Sequence, residues 1–295
     1  KDAAYPGTIK LAVDATDTER HIFRVHETIP VSGPGPLTLA YPRWIPGNHA
    51  PTGRIDELAG LAIRAGNARV VWTRDSVDVF VIRANVPAGA TTLDLDFQIV
   101  TPTDPGQGRV VMTPDMLNLQ WNGVALYPAA YFARRIMVEP SIKLPDGWQY
   151  GTALETASNA GGVAIFKAVN FDTLVDSPMF AGRNFKKLDL DEGGPVRVSL
   201  NLMADRPELL EFKPEQLEAA ITVRRRHGAE VGEASEEPRC GTYPDVLVGR
   251  PAVPRTRAVA PHAGVPIVPE QQRRIGSQPF DLRRRDVERR QGVQG

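Results

Sequence analysis

The residues with the most obvious chemical potential are His26 and Glu27, in the run His26-Glu27-Thr28-Ile29-Pro30. They begin like the zinc-binding pattern H-E-x-x-H, in which two histidines share one face of a helix and the glutamate beside them acts as general base. Here the fifth position is Pro30, so the second ligand is missing. The local period is also that of a strand: Ile22, Arg24, His26 and Thr28 alternate with Phe23, Val25, Glu27 and Ile29. On that period His26 is a strand-face histidine. The remaining histidines do not repair the motif. His21 has no partner in sequence, His49 lies in a proline-rich loop beside Asn48, and His227 and His262 lack ligand spacing. Cys240 is the single cysteine, which excludes an internal disulfide and any Cys-based metal site. There is no Gly-x-Ser-x-Gly and no phosphate-binding glycine loop. The residues therefore predict no catalytic group and no metal site in this chain.

Binding is the other chemistry open to it. Trp44, Asn48 and His49 sit in one loop, and Tyr127 and Tyr131 in a second. Their rings and amide could contact a peptide or stack on a sugar. Tryptophan is nevertheless more often a core residue, which applies equally to Trp72, Trp121 and Trp148. His49 reads either as a ligand contact or as a loop cap. The first loop, Tyr41 to Gly60, carries Pro42, Pro46 and Pro51, which remove backbone donors and forbid a helix or a central strand. Tyr41, Trp44, Ile45 and Ile55 make it too apolar for a solvated linker. It is expected to be an ordered loop packed over a sheet, either as a binding loop or as a corner joining two sheets.

The elements that must hold these loops read as strands. Thr91–Val100 alternates through Leu93, Leu95, Phe97 and Ile99, with Thr92, Asp94, Asp96 and Gln98 opposite, the pattern of a half-buried antiparallel strand. Residues 8–14, 21–29 and 37–41 read likewise. Leu58–Arg64 and Ala68–Trp72 flank a turn at Gly66-Asn67, and Val77–Val86 is expected to carry Val77, Val79 and Val81 on one face. Arg135–Leu144, Val163–Val169, Phe180–Leu190 and Val196–Met203 follow, so that about a dozen short strands are separated by turn signals. The fold class is mainly β, an antiparallel β-sandwich-like domain over residues 1–204. At Ala204 the pattern changes. Asp205 is a candidate N-cap with Glu208 in the capping-box position, and Lys213-Pro-Glu starts a helix. Residues 205–221 thus resemble the beginning of a helical domain.

The formal net charge is 0, which gives no reason to expect nucleic acid as a partner. No stretch approaches the ~20 apolar residues of a membrane-spanning helix, and no membrane partner is expected. The zero hides an asymmetry: residues 1–221 hold 21 Lys+Arg against 26 Asp+Glu, and residues 222–295 hold 14 Arg, no Lys, and 9 Asp+Glu. That last segment is proline-rich and keeps no apolar period, so it is expected to be too poor in buriable surface to order itself. The abrupt loss of Lys and gain of Arg and Pro predicts an out-of-frame translation from about Thr222.

Four segments carry a family resemblance. They are Tyr41-Pro-Arg-Trp-Ile-Pro-Gly-Asn-His, Gly108-Arg-Val-Val-Met-Thr-Pro-Asp-Met-Leu-Asn-Leu-Gln-Trp-Asn, Leu126-Tyr-Pro-Ala and Leu174-Val-Asp-Ser-Pro-Met-Phe-Ala-Gly-Arg. In this order they resemble the N-terminal domain of the glycyl aminopeptidase family, zinc metallopeptidases of the gluzincin type, from about Tyr5 to Ala220. The resemblance implies a β-rich domain preceding a helical, zinc-bearing catalytic domain, and export to a periplasmic or extracellular location. It implies zinc in the parent family, but transfers no catalytic residue or ligand to any position here. The expected function is a non-catalytic N-terminal domain without cofactor, whose partner is its own missing catalytic domain. The alternative is a stand-alone β-sandwich module that binds peptide or carbohydrate.

Overall fold

The computed structural model describes residues 2–45, 47, 48, 50–190, 198–211, 213 and 215, all within the unit Lys1–Arg250. Pro46, His49, the Pro214–Ala220 helix start apart from Glu215, and the tail from Thr222 lie outside the described residues. The strands are β1 Thr8–Asp17, β2 Ile22–Pro30, β3 Gly35–Ala40, β4 Leu58–Ala65, β5 Ala68–Val70, β6 Trp72–Arg74, β7 Val81–Val86, β8 Thr92–Val100, β9 Met116–Leu119, β10 Tyr127–Pro128, β11 Met137–Lys143, β12 Gln149–Gly151, β13 Thr156–Ala160, β14 Val163–Phe166, β15 Val169–Asn170, β16 Met179–Gly182, β17 Asn184–Asp189 and β18 Ser199–Ala204. A short α-helix, α1, spans Phe171–Val175.

The large sheet runs β13-β14-β11-β1-β2-β8-β4-β5, with β15 also on β11. A four-stranded sheet runs β10-β3-β7-β6, a three-stranded one β12-β16-β9, and β17 pairs with β18. The alternation read from the sequence is what divides inside from outside. Ile9, Leu11 and Val13 of β1, Phe23, Val25 and Ile29 of β2, and Leu93, Leu95, Phe97 and Ile99 of β8 are buried, and their neighbours in sequence face out. Leu39, Ile82 and Val86 of the four-stranded sheet and Leu117, Leu119 and Met179 of the three-stranded sheet join them in one core cluster. Each such side chain contributes about 1.5–3 kcal/mol by leaving water. One pair departs from the antiparallel rule. β1 and β11 run parallel, from Thr8 opposite Met137 to Asp14 opposite Lys143.

Local chemistry overrode the expected pattern at three places. The strand expected over Val77–Val86 begins only at Val81, and Val77 is 93% exposed. The Asp75 carboxylate accepts the N–H groups of Val77 and Asp78, both at 2.9 Å, which closes a side-chain turn before the strand can start. Those N–H groups and the Arg83 guanidinium hold the Asp75 carboxyl down at about 2. Asp205 is not a helix cap. A 3-10 turn forms at Pro207–Leu210 with Arg206 before it and no side-chain cap, while Asp205 accepts from the Thr113 hydroxyl at 2.5 Å. Conversely α1 forms where no helix was expected, because the Asn170 side chain accepts the Thr173 N–H at 2.8 Å as its N-cap. No helix among the described residues is long and apolar enough to cross a membrane.

Candidate functional site

The Tyr41 loop is pinned from both ends. Tyr41 is buried, donates its backbone N–H to the Phe80 carbonyl at 2.9 Å just beyond the β3–β7 pair, and donates its hydroxyl to the Gly123 carbonyl at 3.0 Å. Burial pushes its phenol well above the ordinary range, with Glu57 and Asp56 adding to the shift. Arg43 forms an ion pair with Asp78 and lies over the Phe80 ring at 4.9 Å. The Gly53 N–H returns to the Arg43 carbonyl at 3.0 Å, and Gly53 passes so close that a Cβ there would stand 2.0 Å from the Pro42 carbonyl oxygen. Ile55 then enters the core in a 3-10 turn at Ile55–Glu57. The loop is thus stapled to the Asp75–Phe80 loop. Trp44 on the first loop is 63% exposed, and Val77 and Val79 on the second are exposed as well.

The other expected binding residues are used within the molecule. Asn48 donates to the Thr52 hydroxyl at 2.8 Å. Tyr127 lies opposite Ala40 in β10 and packs on Phe171 at 5.0 Å; burial raises its phenol. From there the ladder proceeds through Ala129 to Thr38, away from Trp44. Tyr131 stands edge-on to Tyr5 at 5.0 Å, and the Tyr5 hydroxyl donates to the Pro30 carbonyl. Trp44 and Tyr131 are therefore not joined into one aromatic platform. Trp121 and Trp148 are core residues.

His26 and Glu27 project to opposite faces of the large sheet, as a strand period requires and a zinc helix forbids. His26 faces out, with Nδ1 2.8 Å from Asp96 and Nε2 3.9 Å from Asp94. Thr28 donates to Asp94 at 2.8 Å, and Arg64 reaches Asp96 at 2.5 Å, so a polar ladder crosses β2, β8 and β4. Glu27 is 1% exposed. Its Oε2 accepts the Leu126 N–H at 3.1 Å, while Oε1 has no partner. Burial pushes this carboxyl well above the ordinary range, only partly opposed by the Leu126 bond. Among the described residues no group of three or more His, Cys, Asp or Glu could hold a metal ion.

A further feature was missed by sequence reasoning. A cleft of about 540 Å3 lies where β4, β5 and β6 meet, lined by Leu58, Leu61, Arg64, Arg69, Trp72 and Arg74 among others. The signal was available: the turn at Gly66-Asn67 places Ala65 opposite Ala68, and hence Arg64 opposite Arg69.

One solved structure shares this fold. The aminopeptidase N family protein from Idiomarina loihiensis matches with TM-score 0.62 at 17% identity, covering 77% of this chain and 37% of that one. An M1 zinc metallopeptidase from Deinococcus radiodurans bound to a Tyr-Ser-Ala substrate matches with TM-score 0.42 at 12% identity, covering 75% and 52%. The chain thus spans little more than a third of the length of the first of these. No curated protein matches it. The model of the Peptidase M61 N-terminal domain matches residues 10–183. That range holds all four motif segments, from the Tyr41 loop to Arg183, and covers more than half of the sequence. With the β-rich fold and the ordered segments in agreement, the chain belongs to the Peptidase M61 N-terminal domain family.

Proposed function

We propose that residues 1 to about 204 are the non-catalytic N-terminal domain of a glycyl-aminopeptidase-like zinc metallopeptidase. Its partner is the peptidase's catalytic domain, which this sequence does not carry beyond the start at residues 205–221. The parent reaction, metal-dependent removal of N-terminal residues from peptides, would then be performed by zinc ligands outside these residues. One observation carries this reading: the family match holds the four motif segments in order, while the sequence contains no H-E-x-x-H.

The surface offers a place for such a partner. Trp44, Val77 and Val79 are exposed on two loops that the Arg43–Asp78 ion pair fixes together. Rigid, exposed apolar side chains of this kind suit the centre of an interface. A carbohydrate-binding module would need free ring faces, and Tyr127 and Tyr131 spend theirs on Phe171 and Tyr5.

The test is to measure zinc content and hydrolysis of a glycyl anilide by the purified chain. No stoichiometric zinc and no hydrolysis are expected. Stoichiometric zinc, with hydrolysis abolished by a chelator, would overturn the proposal. Sequencing the gene across codons 218–226 tests the change of frame, and limited proteolysis is expected to leave a core ending between about Ala204 and Val223.

A further inference from the structure

We propose that the cleft between β4, β5 and β6 binds the C-terminal end of an extended peptide, with Arg64, Arg69 and Arg74 receiving its carboxylate. The first support is charge. Arg64 and Arg69 are directly opposed across the β4–β5 pair, an arrangement that is unfavourable without a counter-charge. Of the two arginines only Arg64 reaches Asp96, which it shares with His26. Arg74 spends one N–H on the neutral Val79 carbonyl at 2.9 Å. The Arg69 side chain has no hydrogen bond or ion pair among the described residues. Two of the guanidiniums that line the cleft thus lack an anion, and planar guanidiniums match a carboxylate through paired N–H donors.

The second support is a free sheet edge at the same place. β8 lies along one side of β4, but on the other side β5 covers only Ile63–Ala65. No strand among the described residues pairs with that side from Ala59 to Ala62. The strand is bent there, with a register shift between Ala59 and Ala62 and Gly60 at φ 68°. The Trp72 indole N–H caps the Leu61 carbonyl at 3.1 Å, closing one end of the cleft. An extended peptide can add its backbone to such an edge and place side chains in adjoining pockets.

Together these choose a chain end over a chain middle. β5 occupies the continuation of the ladder, so an added strand running parallel to β4 must end at the Ile63–Val70 pair, one position short of Arg64 and Arg69. A peptide's α-carboxylate is the group that belongs at a stop. Leu58, Leu61 and Trp72 supply an apolar wall for its last side chain. This binding involves no zinc and does not depend on the assignment of the peptidase reaction.

The experiment uses the full chain and two pools of fluorescein-labelled pentapeptides with randomised side chains, one as free acids and one as C-terminal amides. Fluorescence anisotropy is expected to show the acids half-saturating at about tenfold lower protein concentration than the amides. Arg69→Ala, which removes no side-chain hydrogen bond or ion pair among the described residues, is expected to weaken the acids about tenfold and leave the amides unchanged. Amide exchange over residues 59–62 should slow when the acids bind. The proposal is overturned if folded protein binds both pools equally, binds neither, or binds the acids undiminished after Arg69→Ala.

Discussion

Glu27 gives the chain a pH dependence that one neutral substitution should remove. In the folded protein its carboxyl is surrounded by Leu11 and Leu95 across the flanking strands, and receives a single hydrogen bond, from Leu126. Burial raises its pKa well above the ordinary value of 4.5. The sign follows from linkage. Above pH 4.5 the unfolded chain releases the Glu27 proton while the folded chain keeps it, so the folded state binds more protons and stability falls as pH rises. The contribution is complete below the unfolded value and is lost as pH climbs toward the folded one. Glu27→Gln preserves the shape and an oxygen for the Leu126 N–H but has no proton to release. Relative to the parent, the variant should gain stability at up to about 1.4 kcal/mol per pH unit, the limit for one proton, from about pH 5 upward. Below pH 4 the two should be close, because both side chains are then neutral. Urea unfolding followed by the fluorescence of the buried Trp121 and Trp148 at half-unit steps between pH 4 and pH 7 measures this directly. A difference between the two proteins that does not change with pH would show that Glu27 titrates normally in the folded state, and the reasoning from its burial would fail.

Other substitutions separate packing from surface charge. Gly53→Ala drives a Cβ into the Pro42 carbonyl and should cost about 1–3 kcal/mol, read as a lower unfolding midpoint. Tyr41→Phe removes the bond to the Gly123 carbonyl and should cost about 1 kcal/mol with an unchanged urea m-value. Asp96→Asn alters the exposed ladder with His26 and Arg64 and should change stability by no more than about 1 kcal/mol, less at high salt.

The sequence made the strands legible wherever one face met the core. β8 follows the alternation of Thr92–Val100 residue by residue, and β2 places Glu27 inside and His26 outside as its period requires. It failed where a side chain competed with the ladder. Val77 and Val79 have the types of strand residues, but the Asp75 carboxylate captures the local N–H groups first. The helix α1 is too short to show a period and depends on one Asn170 cap. The candidate binding residues were chosen for their rings, and ring type does not reveal whether a face is already occupied; Phe171 and Tyr5 are distant in sequence from the tyrosines they cover. The arginine cleft was within reach of the hairpin at Gly66-Asn67, but its third cation, Arg74, joins only because the chain leaves one sheet at Val71 and enters another.

The parallel pairing of β1 with β11 also sets a timetable for synthesis. Thr8 must wait for Met137, about 130 residues later, and at ~5–20 residues per second the ribosome needs roughly 6–26 s to deliver it. During that interval β1 can join β2, and β8 can join both, yet one side of β1 remains an open strand edge flanked by Ile9, Leu11 and Val13. An unpaired apolar edge is a template for other chains. The nascent protein therefore passes through a stage in which its most central strand is its most adhesive one, and a chaperone that acts on it must do so before Lys143 emerges.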